Sequence, residues 1–166
     1  AGHPNAAPAL GTPRPGKFHG VRARFTFDPR GSYAQVFRQQ GVDRGFAVGL
    51  LGWALTDPRF FRALELAPAE GLDLQFDVRP LGHADHPNTV EIELEPQTAE
   101  TGGARPLRVT ARSVGGGSVE IVSIDGWPVR LTGEAHEVLV ETCPASRTLA
   151  LEQLSGDGQL IDEVRA

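Results

Sequence analysis

Three short stretches hold the residue types that can do chemistry. His86-Pro87-Asn88-Thr89-Val90 puts an imidazole, a side-chain amide and a hydroxyl within four residues, where a polar loop runs into an alternating strand. Such a group can hold a carboxylate or exchange a proton near neutral pH. It can equally do local work, with His86 capping the loop, Pro87 stiffening it and Asn88 closing an Asx turn. Gly115-Gly116-Gly117 follows Ser113-Val114. Successive glycines can aim backbone N–H groups at an anion, but the Gly-Lys-Ser/Thr ending of a phosphate loop is missing, and glycine also serves a sharp bend between strands. The third stretch is Arg38-Gln39-Gln40-Gly41-Val42-Asp43, with Gly31 and Ser32 shortly before it. Ser32 and Asp43 offer a hydroxyl and a carboxylate, and both also read as helix N-caps. Gln40 can hydrogen-bond but cannot exchange a proton near pH 7. His83, Asp85 and His86 are spaced as a loop with no cysteine cluster beside them, so no metal site is expected.

The elements that must position these residues follow from periodicity. Val21, Ala23, Phe25 and Phe27 alternate with Arg22, Arg24 and Thr26, the pattern of a half-buried strand. Asp28-Pro29-Arg30-Gly31 is a turn. Ser32 then starts a helix through Tyr33, Val36 and Phe37, Gly41 interrupts it, and Asp43 starts a second through Phe46, Leu50, Leu51 and Trp53. Asp57-Pro58 opens a third, carrying Phe60, Phe61, Leu64 and Leu66 and ended by Pro68. From Leu72 the period becomes two: Leu72, Leu74, Phe76 and Val78; Val90, Ile92 and Leu94; Leu107, Val109 and Ala111; Val119, Ile121 and Ile124; Val129 and Leu131. Asp125-Gly126 between the last two runs is a hairpin signal. Val138 and Val140 suggest a further strand, and residues 145–154 a short helix. A strand, then helices, then a run of strands predicts an α+β domain, a mixed and largely antiparallel sheet with helices on one face.

A chain of 166 residues can bury a core without disulfides or metal. The expected layout is an extended, proline-rich arm over 1–17, a domain over 18–142 and a tail over 143–166. A net charge of −5 argues against nucleic acid or an anionic membrane surface as partner. No apolar run reaches the roughly 18 residues of a membrane span, and no secretory signal is visible. With the single cysteine, Cys143, this leads to the expectation of a cytoplasmic protein. The lack of methionine leads to the expectation of a trimmed N-terminus. Edge-to-edge pairing of strands in a homodimer is a further expectation.

Taken in order, Gly31-Ser32-Tyr33-Ala34, Gly41-Val42-Asp43, Gly49-Leu50-Leu51-Gly52, Asp57-Pro58-Arg59, His86-Pro87-Asn88-Thr89-Val90 and the glycine triplet resemble the β subunit or β domain of iron–sulfur-dependent L-serine dehydratases. The likeness runs over roughly residues 21–140. It implies that family's α+β domain, itself similar to the allosteric substrate-binding domain of some phosphoglycerate dehydrogenases. It implies a lyase in which a [4Fe–4S] cluster on a separate α subunit acts as Lewis acid on the serine hydroxyl. A base takes the α proton, and the aminoacrylate decays to pyruvate and ammonia. Cys143 alone cannot supply the cluster's thiolates, so the cluster is expected on the partner and none on this chain. The resemblance implies catalytic roles for His86, Asn88 and Asp43. It implies contacts to a small amino-acid or carboxylate ligand from Gly31, Ser32, Gln40, Thr89, Gly115, Gly116 and Gly117. Two motifs depart from the pattern. Pro4-Asn5-Ala6-Ala7-Pro8-Ala9 stands where the family has Pro-Ser-Ser-Ser-His-Thr, and Gln40 stands where it has a histidine. The alternative expectation is therefore a catalytically degenerate module that binds a small carboxylate or a partner protein, or a domain repurposed for a modified amino acid. The tail over 143–166 would be the remnant of an ACT-type extension.

Overall fold

A computed structural model describes residues 20–97 and 105–134. The chain divides into two units, Ala1–Glu134 and Ala135–Ala166. The second unit, the arm over 1–17, the strand at Val138 and Val140, the helix over 145–154 and Cys143 lie outside the described residues, as do the expected boundaries at 17 and 142.

The alternation that opens the domain builds an interior strand of its sheet, paired on both edges. Strand β1 (Val21–Phe27) turns Ala23, Phe25 and Phe27 to the core, each no more than 1% exposed. Helices α1 (Ser32–Val36) and α2 (Val42–Leu51), a 3-10 turn at Phe60–Arg62 and α3 (Ala63–Leu66) carry the chain across that face to β2 (Leu72–Val78). β2 pairs parallel to β1, as a crossover of this length permits. β3 (Thr89–Pro96), β4 (Leu107–Gly115), β5 (Ser118–Ile124) and β6 (Trp127–Leu131) then add antiparallel, giving the order β2-β1-β3-β4-β5-β6. The expected α+β architecture, a mixed and mostly antiparallel sheet, is what forms.

Burial of apolar surface against one sheet face holds the helices. Ala47, Val48 and Leu51 of α2 pack with Ala63, Ala67, Val21 and Leu72. An aromatic cluster joins the layers: Phe25 stacks on Phe46 and Phe76 at centroid distances of 4.3 and 5.1 Å, and Phe27 on Phe37 at 4.5 Å. The opposite face is a lattice of charge. Arg22 pairs with Asp73 at 2.6 Å, Glu93 receives both Arg24 at 3.5 Å and Arg108 at 2.6 Å, and Glu120 receives both Arg112 at 2.8 Å and Arg130 at 3.2 Å. Like-with-opposite pairing across neighbouring strands lets this face meet water without mutual repulsion.

Four local expectations change. Ser32 does not cap α1: Gly31 holds the cap position without a side-chain bond, and the Ser32 hydroxyl turns instead to Asn88. Asp43 does not cap α2. Gly41 does, at φ 70°, which places Asp43 in the first turn with its carboxylate accepting from the N–H of Arg44 at 2.8 Å. Trp53 lies beyond α2, because Gly52 adopts φ 68° and closes the helix with the N–H of Trp53 donating to the carbonyl of Val48. The third helix is broken into a 3-10 turn and one α turn, so Phe60 packs inward while Phe61 is left 80% exposed.

Candidate functional site

Two loops meet at the far end of β1. One is the β1–α1 turn, Asp28-Pro29-Arg30-Gly31; the other runs from β2 to β3 and ends in residues 86–89. Their contact is close at Gly31. A Cβ added there would lie 2.2 Å from the Pro87 carbonyl oxygen and 3.0 Å from its carbon, so only glycine lets the loops approach this far. The Tyr33 N–H donates to the same Pro87 oxygen at 3.4 Å.

The hydrogen bonds around this contact form one connected group. Ser32 Oγ donates to Asn88 Oδ1 at 2.8 Å, and Asn88 Nδ2 donates to the Ser113 carbonyl at 3.3 Å. The backbone repeats the link to β4, with Ser113 N–H donating to the Asn88 carbonyl at 3.2 Å. The N–H of Asn88 donates to His86 Nδ1 at 3.1 Å, and Thr89 Oγ1 donates to the His86 carbonyl at 2.8 Å. With Nδ1 accepting, the proton of a neutral His86 ring belongs on Nε2. Beside the group, Arg112 holds Asp85 at 3.1 Å and Glu120 at 2.8 Å; Glu120 above all, through its hydrogen bond, raises the arginine's pKa.

Gly31, Ser32, His86, Asn88 and Thr89 are thus brought together. Gln40 and Asp43 are not: no hydrogen bond or ion pair joins either to this group among the described residues. Asp43 is buried and Gln40 exposed. Gly115 ends β4 and Gly116-Gly117 make the exposed turn to β5, with φ of 98°, 61° and 84°, and a Cβ on any of the three would meet nothing within 4 Å. Backbone conformation, not close approach, is what requires glycine there. His83, Asp85 and His86 diverge. His83 Nε2 lies 3.5 Å from Thr110 Oγ1, Asp85 pairs with Arg112, and His86 binds Asn88. Trp127 is 58% exposed, so it is no core residue. Among the described residues no three His, Cys, Asp or Glu side chains converge as metal ligands, and no helix is long and apolar enough to cross a membrane.

Two participants escape a sequence reading. Ser113 acts through backbone atoms, which no residue type announces. Asp28 reads as a plain turn residue, yet its side chain is 5% exposed and its carboxylate ties the two loops to each other. Its Oδ1 accepts from the N–H and Nε of Arg30, each at 2.9 Å, and its Oδ2 accepts from Arg30 NH2 at 2.9 Å and the Leu81 N–H at 2.8 Å. The Arg30 bonds first, then the backbone bonds, hold the Asp28 carboxyl far below the usual carboxylate range. A sequence signal exists: Asp57-Pro58-Arg59 is the same tripeptide and closes the same arginine fork, at 2.8 to 2.9 Å. A separate concavity of about 520 Å³, lined by Leu64, Ala67, Pro68, Leu72, Leu74 and Phe76, opens at the other end of β1 and holds none of these groups.

Fold and site together define a mixed-sheet α+β domain whose polar loops converge at one end of β1. No protein-family model matches the chain. Two curated proteins do. The probable L-serine dehydratase β chain of Bacillus subtilis is 34% identical over 110 residues, which cover 66% of this chain and 47% of that protein. The L-serine dehydratase β chain of Peptoniphilus asaccharolyticus is 35% identical over 115 residues, covering 69% of this chain and 50% of that protein. Over about two thirds of its length the chain is thus similar to L-serine dehydratase β chains. It spans about half the length of the curated relatives it matches.

Proposed function

We propose that the chain serves as the β-subunit-like component of an L-serine dehydratase-type lyase and works in the cytoplasm with a separate α subunit. The observation that carries this reading is the joining of Ser32, His86, Asn88 and Thr89 in one hydrogen-bonded group, within a domain similar to dehydratase β chains. The [4Fe–4S] cluster of this chemistry would belong to the α subunit, since the donor set of the described residues, which includes no cysteine, does not fit one. The part left to this chain is recognition of the amino acid's carboxylate. A neutral His86 whose Nδ1 is occupied presents an N–H at Nε2, which suits it to donate to a carboxylate, not to take the α proton. Ser32 and Asn88 set the depth and angle of that donor. Gln40 cannot act as the base and lies outside the group, so the reading assigns that role to the partner.

A second reading has its own support in that separation. A domain with glutamine at position 40 can bind a small carboxylate or scaffold a partner without catalysis. Anaerobic co-purification with a cysteine-rich α-type subunit, followed by an iron count and an assay for 2-oxo acid release from L-serine, separates the two. Iron with pyruvate release, lowered by His86→Ala in a folded complex, is the expected result. A complex that binds L-serine but releases nothing establishes the binding module, and pyruvate release untouched by His86→Ala overturns the role given to that histidine.

A further inference from the structure

The two Asp-Pro-Arg turns share one fork and differ in what else they reach: Arg59 lies over the Trp53 ring at 3.8 Å, whereas Asp28 and Arg30 both reach Leu81. Each aspartate closes an arginine fork on its own turn at 2.8 to 2.9 Å. Only Asp28 reaches a second loop, where Oδ2 accepts the Leu81 N–H at 2.8 Å, and only beside Asp28 does the arginine follow, with Arg30 NH2 donating to the Leu81 carbonyl at 3.3 Å. Leu81 is 2% exposed and anchors the loop that ends in residues 86–89. The Asp28 carbonyl, in turn, accepts the Gly31 N–H at 3.0 Å, and Gly31 is the residue pressed against Pro87. The carboxylate therefore touches the loop that carries Ser32 and the loop that carries Asn88, at the points from which each departs.

We propose that Asp28 is a positioning residue, whose carboxylate holds residues 31–32 against residues 87–88 and so sets the geometry of the group that would meet a ligand. This rests on the reading of Ser32, His86 and Asn88 as the binding group. The mechanical part is independent of any ligand. Asp28 fixes two loops that share no covalent link shorter than the whole helical crossover, and the bond between Ser32 and Asn88 spans 56 residues of chain. A bond between two loop tips survives only while something holds the loops at bonding distance.

The test is a double-mutant cycle on the full chain, without ligand or partner. Ser32→Ala and Asn88→Ala are made singly and together in the native chain, in Asp28→Asn and in Asp57→Asn. The coupling is read as a fold-change in the unfolding equilibrium constant. A hydrogen bond of ordinary net strength gives a coupling of about fivefold in the native chain. The same value is expected in Asp57→Asn, which loses the same arginine fork but no second loop. In Asp28→Asn it is expected to fall below about twofold, because the asparagine cannot accept from both loops. The NMR signals of the Asn88 side-chain amide should likewise respond to Ser32→Ala in the native chain and in Asp57→Asn, and fail to respond in Asp28→Asn. Equal coupling in the Asp28 and Asp57 variants overturns the proposal. If Asp28→Asn does not fold, Asp28→Glu takes its place, since it keeps the charge but moves the carboxylate one methylene away from the Leu81 N–H and the Arg30 N–H. A smaller coupling there supports the proposal and an unchanged one overturns it. Neither result depends on whether the complex makes pyruvate, so failure here and failure of the dehydratase reading remain distinct.

Discussion

Gly31→Ala tests the loop contact most directly. The added methyl would sit 2.2 Å from the Pro87 oxygen, a backbone atom that cannot swing aside as a side chain does. Restoring ordinary van der Waals separation needs a retreat of about 1 Å or more. Strain of this kind costs about 1–3 kcal/mol. The shift also threatens two bonds that span the contact, Tyr33 N–H to Pro87 at 3.4 Å and Ser32 to Asn88 at 2.8 Å. Each contributes about 1 kcal/mol net. Against this, alanine restricts the unfolded chain and returns about 0.4–1 kcal/mol, since Gly31 itself has an ordinary φ of −84°. The balance is a loss of about 2 kcal/mol, or a fall in Tm of about 8 °C at about 4 °C per kcal/mol. Thermal unfolding followed by far-ultraviolet circular dichroism measures it, with the Asn88 amide signals as the local report. A Tm within about 1 °C of the native chain would refute the claim that glycine is required by the approach of Pro87.

Gly49→Ala should do the reverse, because a Cβ on this exposed position of α2 meets nothing within 4 Å; stability should rise by about 0.5–1 kcal/mol in urea denaturation. Phe25→Ala removes a ring that is 1% exposed and stacked on two others, so about 3–5 kcal/mol should be lost, read from the same denaturation curves. Gly116→Val forces a β-branched residue to φ 61°, which should cost about 1–2 kcal/mol without ligand; loss of L-serine binding at unchanged stability would instead assign the turn a binding role. Acid should weaken the fold in a defined window. The carboxyls of Asp28, Asp57, Glu120 and Asp125 are all lowered, each chiefly by a hydrogen bond (from Arg30, Arg59, Arg112 and the Arg108 N–H respectively), with Asp57 brought to about 2. A lowered folded pKa contributes stability that is complete above the unfolded value of about 4 and fades as pH drops toward the folded one. Urea midpoints should therefore hold from pH 7 to 5 and fall between pH 4 and 2; a flat profile would contradict these bonds.

Much of the architecture was legible because it is local. Period-two alternation marked every described strand, and Asp125-Gly126 makes the expected turn with φ of 49° and 83°, the left-handed pair a two-residue hairpin needs. The misreadings lie where a helix begins or breaks. Ser32 has the chemistry of a cap, but Asn88, 56 residues away, takes its hydroxyl. Asp43 has the chemistry of a cap as well, but a left-handed Gly41 reaches the position first. Phe61 fits an apolar stripe only if the helix is regular, and the 3-10 turn rotates it to solvent. At the site, the motif at residues 86–89 was visible as residue types, whereas Asp28 looked like its twin Asp57 until the Leu81 N–H came into view. Local propensity is read from neighbours in the chain; competition for a donor is settled by neighbours in space.

The strand order also dictates a sequence of events in folding. β4, β5 and β6 meet through two tight turns, so closing them costs little chain entropy and can happen early. β1 has no such neighbour. Its parallel partner lies 51 residues on and its antiparallel one 69 residues on, measured at Arg22 with Asp73 and at Arg24 with Glu93. During synthesis β1 leaves the ribosome before any strand it will pair with, and its antiparallel edge stays unpaired until β3 is complete. β1 is thus the strand that waits longest for its partners in the growing chain, and contacts of this sequence span, more than the hairpins, set the pace of folding.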